Sequence, residues 1–497
     1  MDKLQRGALY DAESVRAMDA SAIAAGTPGY TLMRRAARSA FATIQRRWPR
    51  AHRIAVLCGP GNNGGDGYVI AELAHKSGRQ VTLLQLSGPS GASAIQAHSD
   101  AIAAGLEARA FESSALDGAQ LLVDAIFGTG LSRAPEGDAA QAIEDINAHP
   151  SPCFAIDIPS GLVADNGSCP GVAVTAEATI SFIAPKLGLY TGEGPRCCGK
   201  RTHDTLGVGE QHRSPQHPVA YRLDAGLVLD MLPHRDASAH KGTAGHVLVI
   251  GGNHGMSGAV RLAAEAALRS GAGLLSVACH PDCVLAVSSG RPELMVHAIY
   301  TAADLEPLLE RASVLVLGPG LGQDAWARAL YKAAMKRCIP KVLDADALNL
   351  LADAPQACPR AVITPHPTEA ARLLDTDTAT VQSNRPHAAE QLSYCYKATA
   401  VLKGPGSLIA TECGRMFLCD KGNAGMASGG MGDLLTGVIA ALLAEGCETH
   451  QAAAAGTWLH SAAADLAAKQ GQAGMIASDL LPHLRQLRDR PSDQCVY

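Results

Sequence analysis

The chain has 497 residues, 47% of them hydrophobic and 18% charged, with aromatics at only 4% and a formal net charge of −5. That length exceeds what one hydrophobic core serves and points to more than one domain. The negative balance argues against a nucleic-acid surface, and no uncharged apolar run reaches the roughly 18 residues of a membrane span.

The opening residues, Met1 to Gly7, carry no apolar stretch of signal-peptide type. Residues 10–48 show helical apolar spacing (Val15, Met18, Ile23, then Leu32, Ala36, Phe41, Ile44), split by Gly26-Thr27-Pro28-Gly29. A buried strand is predicted over 53–58, a glycine loop over 59–67, a helix over 68–76 and a second strand over 81–86. That order is a βαβ unit with a parallel sheet. Strands over 120–127, 153–158 and 178–183 each end in a polar loop: Gly128-Thr129-Gly130, Pro159-Ser160-Gly161 and Ala184-Pro185-Lys186. Open α/β sheets bind ligands at such carboxyl ends.

A polar, proline-bearing segment over 212–218 reads as a linker. Beyond it the pattern restarts, with a strand over 246–250, a glycine loop over 251–259 and a helix over 260–270. Further strands over 313–317, 340–343, 361–363 and 400–402 lead into Gly318-Pro319-Gly320-Leu321-Gly322, Asp344-Ala345-Asp346, Thr364-Pro365-His366-Pro367 and Lys403-Gly404-Pro405-Gly406-Ser407. Two α/β domains in tandem are predicted. Fourteen cysteines are scattered without a C-x-x-C pair, which reads as free thiols in a reducing compartment and places the protein in the cytoplasm.

The most informative stretch is Gly425 to Gly437, where glycines surround Asp433 and an apolar helical run follows. Glycine N–H groups at a helix start attract anions, so a carboxylate there is either an N-cap or a base beside a phosphate. Lys403 with its glycines offers a second phosphate loop. Asp344 and Asp346 either approach Mg²⁺ through water or cap the helix after them, and His366 is either a rigid turn or a ligand contact. In the first half, Asn62-Asn63-Gly64-Gly65-Asp66-Gly67 is neither a dinucleotide fingerprint nor a Walker loop. Asp124, Asp157, Ser160 and Asn63 supply oxygen donors suited to a hard cation. Lys186 is a phosphate partner, a proton donor, or a solvated surface lysine.

These motifs in this order resemble the bifunctional NAD(P)H-hydrate repair enzymes across almost the whole chain. Gly59 to Gly67, Asp124 with Gly128-Thr129-Gly130-Leu131, and Asp157-Ile158-Pro159-Ser160-Gly161 match the epimerase part. Lys241-Gly242, Gly251-Gly252, Gly318 to Gly322, Thr364 to Pro367, Lys403-Gly404 and the 425–437 run match the dehydratase part. Ser407 and Thr368 depart from the expected Thr and Gly.

The resemblance implies a Rossmann-like three-layer domain over 1–212, a linker over 213–223 and a ribokinase-like domain over 224–497. It implies epimerisation of the R and S hydrates, then ADP-driven dehydration of the S form to NAD(P)H, AMP and phosphate. K⁺ would be held by Asn63, Asp124 and Ser160. The first substrate site would comprise Asn62, Asn63, Gly64, Gly65, Asp66, Gly128, Thr129, Gly130, Leu131, Ser132, Arg133, Ala134 and Asp157, with Asp157 as acid/base and Lys186 assisting.

In the dehydratase, Asp433 would deprotonate the ring hydroxyl for attack on the terminal phosphate, with Gly429 and Gly432 N–H groups stabilising the transferring phosphoryl. Lys403, Gly404, Pro405, Gly406, Ser407 and Gly432 would take ADP with Mg²⁺, and Ala259, Gly322 and His366 the substrate. A homo-oligomer is also implied. The rival readings are a ribokinase-type small-molecule kinase with an N-terminal regulatory module, and a nucleotide-sensing or RNA-associated binding protein.

Overall fold

The computed structural model describes residues 3–131, 133–213, 215–233, 242 and 244–489, so Ser132 and Lys241 lie outside the described residues. The chain divides into two compact units, Ala8–Ala220 and Met1–Gly7 with Tyr221–Tyr497.

The first unit opens with helices α1 (Ala12–Ala24) and α2 (Gly29–Arg47). Then come β1 (Arg53–Cys58), α3 (Asn62–Lys76), β2 (Gln80–Gln85), β3 (Ala108–Ala110), β4 (Leu121–Ala125), β5 (Cys153–Ile156), β6 (Ala178–Phe182) and β7 (Lys200–Asp204). The strands lie in the order β3-β2-β1-β4-β5-β6-β7, every pairing parallel. Alternation along β1 shows the layering. Ile54, Val56 and Cys58 pack with Met18, Ala37 and Val69 on one face, whereas Ala55 and Leu57 pack with Ala142 and Ile143 on the other. A Rossmann-like three-layer arrangement results.

The second unit contributes β8 (Ala220–Arg222), β9 (His246–Ile250), α4 (Ser257–Ser270), β10 (Leu274–Cys279), β11 (Met295–Ala298), β12 (Val314–Leu317), β13 (Lys341–Leu343), α5 (Asp346–Asp353), β14 (Ala361–Ile363), α6 (Pro367–Leu373), α7 (Arg385–Tyr396), β15 (Thr399–Leu402), β16 (Ser407–Ala410), β17 (Met416–Cys419), α8 (Met431–Ala444) and α9 (Thr449–Ala467). Its strand order is β8-β17-β16-β15-β14-β13-β12-β9-β10-β11. Pairings from β15 to β11 are parallel, and β15-β16-β17 is an antiparallel meander. Helices α4, α8 and α9 cover one face with Ala-rich surfaces. A Cβ on Gly437 of α8 would sit 2.0 Å from Ala263 O of α4, so these helices pack backbone to backbone. The low aromatic content has this geometry as its physical counterpart.

The predicted linker 213–223 differs from the structure. Tyr221 and Arg222 pair in parallel with Phe417 and Leu418, which satisfies backbone groups a linker would leave to water. The residues up to Gly7 also group with the second unit, where the Arg222 N–H donates to Gly7 O at 2.7 Å.

Candidate active sites

In the first unit, β1 turns at Gly59-Pro60-Gly61 directly into α3, whose N-cap is Gly61. The predicted loop 59–67 is therefore half helix, with Asn62 to Gly67 forming the first turns. Glycine inside a helix costs about 1 kcal/mol relative to alanine, and close packing overrides that preference. A Cβ on Gly64 would lie 1.8 Å from Gly59 O, and one on Gly67 2.7 Å from Cys58 Sγ.

The carboxyl ends of β4, β5 and β6 meet the start of α3 and one wall of α1 around a cavity of about 500 Å³. Asp124 closes β4 and is fully buried. Its Oδ2 accepts from Ser160 N at 2.8 Å, and its Oδ1 accepts from Ser160 Oγ at 2.5 Å and Ile126 N at 3.2 Å. Burial pushes this carboxyl up to about 6 against the pull of those donors. Asn63 Nδ2 donates to Phe127 O at 2.8 Å, while its buried Oδ1 has no hydrogen-bond partner.

Asp157 follows β5 at φ +65°, a strained left-handed conformation for a non-glycine residue. Its Oδ1 accepts from Lys186 Nζ and, at 3.3 Å, from Phe182 N. Lys186 is 1% exposed and also donates to Ser181 Oγ and Phe182 O, each at 3.0 Å. The solvated-lysine reading is overturned: the ammonium is committed to Asp157 inside the cavity.

In the second unit, β13, β14 and β15 end in Asp344, His366 and Lys403, and α8 begins beside them. Lys403 Nζ donates to Asp344 Oδ1 at 2.8 Å and stands 3.8 Å from Glu369 Oε2. Thr436 Oγ1 reaches Asp344 Oδ2 at 3.1 Å. Burial opposes the charge on Asp344, but Lys403 prevails and holds the carboxyl below its usual range. The N-cap of α8 is Gly430 at φ +87°, so Asp433 lies in the first turn and is not the cap. Burial pushes Asp433 up to about 7, helped by the charges of Asp344 and Asp346 and opposed by Lys403. A Cβ on Gly432 would come within 3.1 Å of Asp344 Oδ2 and 3.2 Å of Lys403 Nζ. Glycine at 432 keeps that approach open.

Comparison with known proteins identifies this pairing of units. Residues 29–188 match the family model described as YjeF-related protein N-terminus, and residues 247–486 match NAD(P)H-hydrate dehydratase. The bifunctional NAD(P)H-hydrate repair enzyme Nnr of Coxiella burnetii is 45% identical over 96% of this chain and 99% of its own length. That of Escherichia coli is 44% identical over 92% of this chain and 89% of its own. The chain belongs to the bifunctional NAD(P)H-hydrate repair enzyme family. It is accordingly an enzyme with an isomerase, the NAD(P)H-hydrate epimerase, and a lyase, the dehydratase. A ribokinase-like superfamily protein of Enterococcus faecalis superimposes with a TM-score of 0.52 at 27% identity, covering 56% of this chain and 98% of its own. The second unit thus has the ribokinase-like fold.

Of the residues expected in the epimerase site, Asn62, Asn63, Asp66, Gly128, Thr129, Gly130, Leu131, Asp157 and Lys186 line the first cavity. Gly64 and Gly65 instead face Gly59 and Met33, and Arg133 is exposed, with Ala134 beside Gly171. In the dehydratase unit, the predicted helix start at 260 moves to Ser257, which puts Ala259 in the first turn of α4. Gly322 gives its N–H to Asp346 Oδ2 at 2.8 Å, so that amide is spent within the protein. Neither aspartate caps α5, whose N-cap is Ala345. His366 caps α6, accepting at Nδ1 from Thr368 N and Glu369 N, yet keeps half its side chain exposed. Lys403 to Ser407 form the tight turn between the antiparallel strands β15 and β16, with Gly404 at φ +140° over the buried Arg385 guanidinium.

Asp19 and His460 were not anticipated. Asp19 shares the inward stripe of α1 with Val15, Met18 and Ala22, and a charge on an apolar stripe is the signal that marks it. His460 is buried in α9 with Nε2 unpartnered, and burial together with the Lys403 charge pushes it down to about 4.

Proposed function

We propose that the two units divide the repair of hydrated NADH and NADPH at the residues described. The supporting observation is Asp433, a half-buried carboxyl titrating near neutrality at the start of a helix, beside the Lys403–Asp344 ion pair. A general base works best with a pKa near the working pH. Asp433 takes the proton of the ring hydroxyl as that oxygen attacks the terminal phosphate of ADP. Lys403 and the N–H groups of Gly429 and Gly432 meet the phosphoryl charge. Phosphate then leaves in place of hydroxide and the dihydronicotinamide is restored. Ala259, Gly322 and His366 flank the substrate, and Lys403 to Ser407 the nucleotide.

In the first unit, Asp157, oriented by Lys186, acts as the acid/base at the oxygen on the hydroxylated carbon. The partnerless Oδ1 of Asn63, the buried Asp124 carboxylate and Ser160 form an all-oxygen donor set that suits K⁺. When bound there, the ion supplies positive charge at the base of the cavity. Mg²⁺ does not fit Asp344 and Asp346 in the same way, because one is held by Lys403 and the other by Gly322 N–H. We therefore place Mg²⁺ on the nucleotide phosphates. We further place the protein in the cytoplasm as a homo-oligomer, on its scattered cysteines and family. Among the described residues no helix is long and apolar enough to cross a membrane.

The test is the return of reduced-nicotinamide absorbance from hydrated NADH with ADP or ATP. Asp433→Asn loses it and keeps epimerisation; Asp157→Asn does the reverse. Equal loss of both activities in either variant overturns the division.

A further inference from the structure

The first cavity holds more acid than the assigned chemistry uses. Asp19 from α1 and Asp66 from α3 line it together with Asp157 and Lys186. Three carboxyl groups thus share one ammonium, and Lys186 Nζ is already committed to Asp157, Ser181 and Phe182. Among the described residues, neither the Asp19 nor the Asp66 carboxyl forms a hydrogen bond or ion pair. Three carboxylates crowded around one spent cation do not all ionise readily at neutral pH.

We propose that Asp66 is the second catalytic residue of the epimerase, a general acid acting with the base Asp157, and that Asp19 keeps Asp66 protonated. This rests on the reading of the cavity as the epimerase site.

The electrostatics agree. Burial raises Asp66 well above the carboxylate range, the charges of Asp157 and Asp19 push the same way, and Lys186 pulls back only in part. Burial and then Asp157 also raise Asp19. A carboxyl raised by its surroundings, beside a second carboxyl paired with an ammonium, supplies an acid next to a base. The other groups facing Asp66 are the thiol of Cys58 from β1, held neutral by burial and by Asp66, and the exposed Arg16 of α1 at the cavity wall.

The step balances. The substrate hydroxyl sits on the carbon beside the ring nitrogen, where water adds to an enamine. The nitrogen lone pair forms a C=N bond as the C–O bond breaks, and the departing oxygen takes the Asp66 proton and leaves as water. A water on the opposite face then adds to that carbon, gives its proton to Asp157, and returns the electron pair to nitrogen. One water leaves and one enters. Asp66 ends ionised and Asp157 protonated, the state that runs the reverse direction.

The experiment uses the full chain with hydrated NADH, following interconversion of the two hydrates by chromatography and dehydration by absorbance. Asp66→Asn is expected to lower the epimerase rate by about 10²- to 10⁴-fold, while the dehydratase rate reports that the chain is folded. Asp19→Asn removes a negative charge beside Asp66, eases its ionisation, and moves the alkaline limb of the epimerase pH profile to lower pH. Asp19→Glu restores the limb. In H₂¹⁸O, each enzymatic inversion carries one labelled oxygen into the hydrate, above the uncatalysed exchange rate. Epimerase activity surviving Asp66→Asn, or inversion without label, overturns the proposal. If Asp157→Asn is active as well, the cavity is not the epimerase site; if only Asp66→Asn is active, that reading stands and Asp66 is not the acid.

Discussion

Lys403 Nζ donates to Asp344 Oδ1 at 2.8 Å, and Asp344 is only 2% exposed. The pair couples the ends of β13 and β15 and holds a cation at the start of α8, where phosphate chemistry needs one. A buried carboxylate stripped of its cation is costly, so Lys403→Met is expected to destabilise the protein by about 3 kcal/mol. That corresponds to a melting point lower by roughly 6–10 °C. The double variant Lys403→Met/Asp344→Asn is expected to regain most of the loss in thermal melts without regaining dehydratase activity.

Asp433 as base has a defined pH signature. Its folded-state value near 7 means the active carboxylate form accumulates as pH rises through that point. Dehydratase kcat/KM is expected to fall about tenfold per unit below pH 7 and to level off above it. Asp433→Asn flattens this limb at a rate on the order of 10² to 10⁴ lower, with epimerase turnover unchanged.

Gly432 faces the ion pair with no atom to spare. Gly432→Ala puts a methyl 3.1 Å from Asp344 Oδ2 and 3.2 Å from Lys403 Nζ, tighter than ordinary contact. Its φ is not in the left-handed region, so the helix tolerates alanine. Dehydratase activity is expected to drop about tenfold or more, with a melting point close to wild type. Steady-state kinetics in ADP distinguishes this from general destabilisation.

The epimerase is expected to need a monovalent cation. Replacing K⁺ by a large organic cation, which cannot enter the Asn63, Asp124 and Ser160 donor set, should slow hydrate interconversion several-fold and leave dehydration untouched. Asn63→Ala removes the partnerless Oδ1 and should abolish the K⁺ response measured in a salt titration.

Much of this was legible in the residues. Hydrophobic runs of four to six residues ending in glycine or acid located β1, β4, β5, β9 and β12 closely, because strands buried on both faces carry no polar alternation to confuse the period. Helix starts were less legible. Asn62 to Gly67 read as a loop because glycine disfavours helix, and only the contact of Gly64 with Gly59 explains why it is helical there. The antiparallel strands β16 and β17 escaped notice for a related reason. Their apolar runs are only three and four residues long, too short for a period to separate strand from helix.

The sequence by itself determined the family, the two α/β units and the strand-end residues that carry chemistry, since spacing and residue type are local. Tertiary structure decided what each of those groups is free to do. It spent the Gly322 amide on Asp346, bound Lys186 to Asp157, made Gly430 rather than Asp433 the cap of α8, and brought Asp19 from a distant helix to bear on Asp66. Charge, burial and hydrogen-bond commitment depend on neighbours remote in the chain, and no local pattern encodes them.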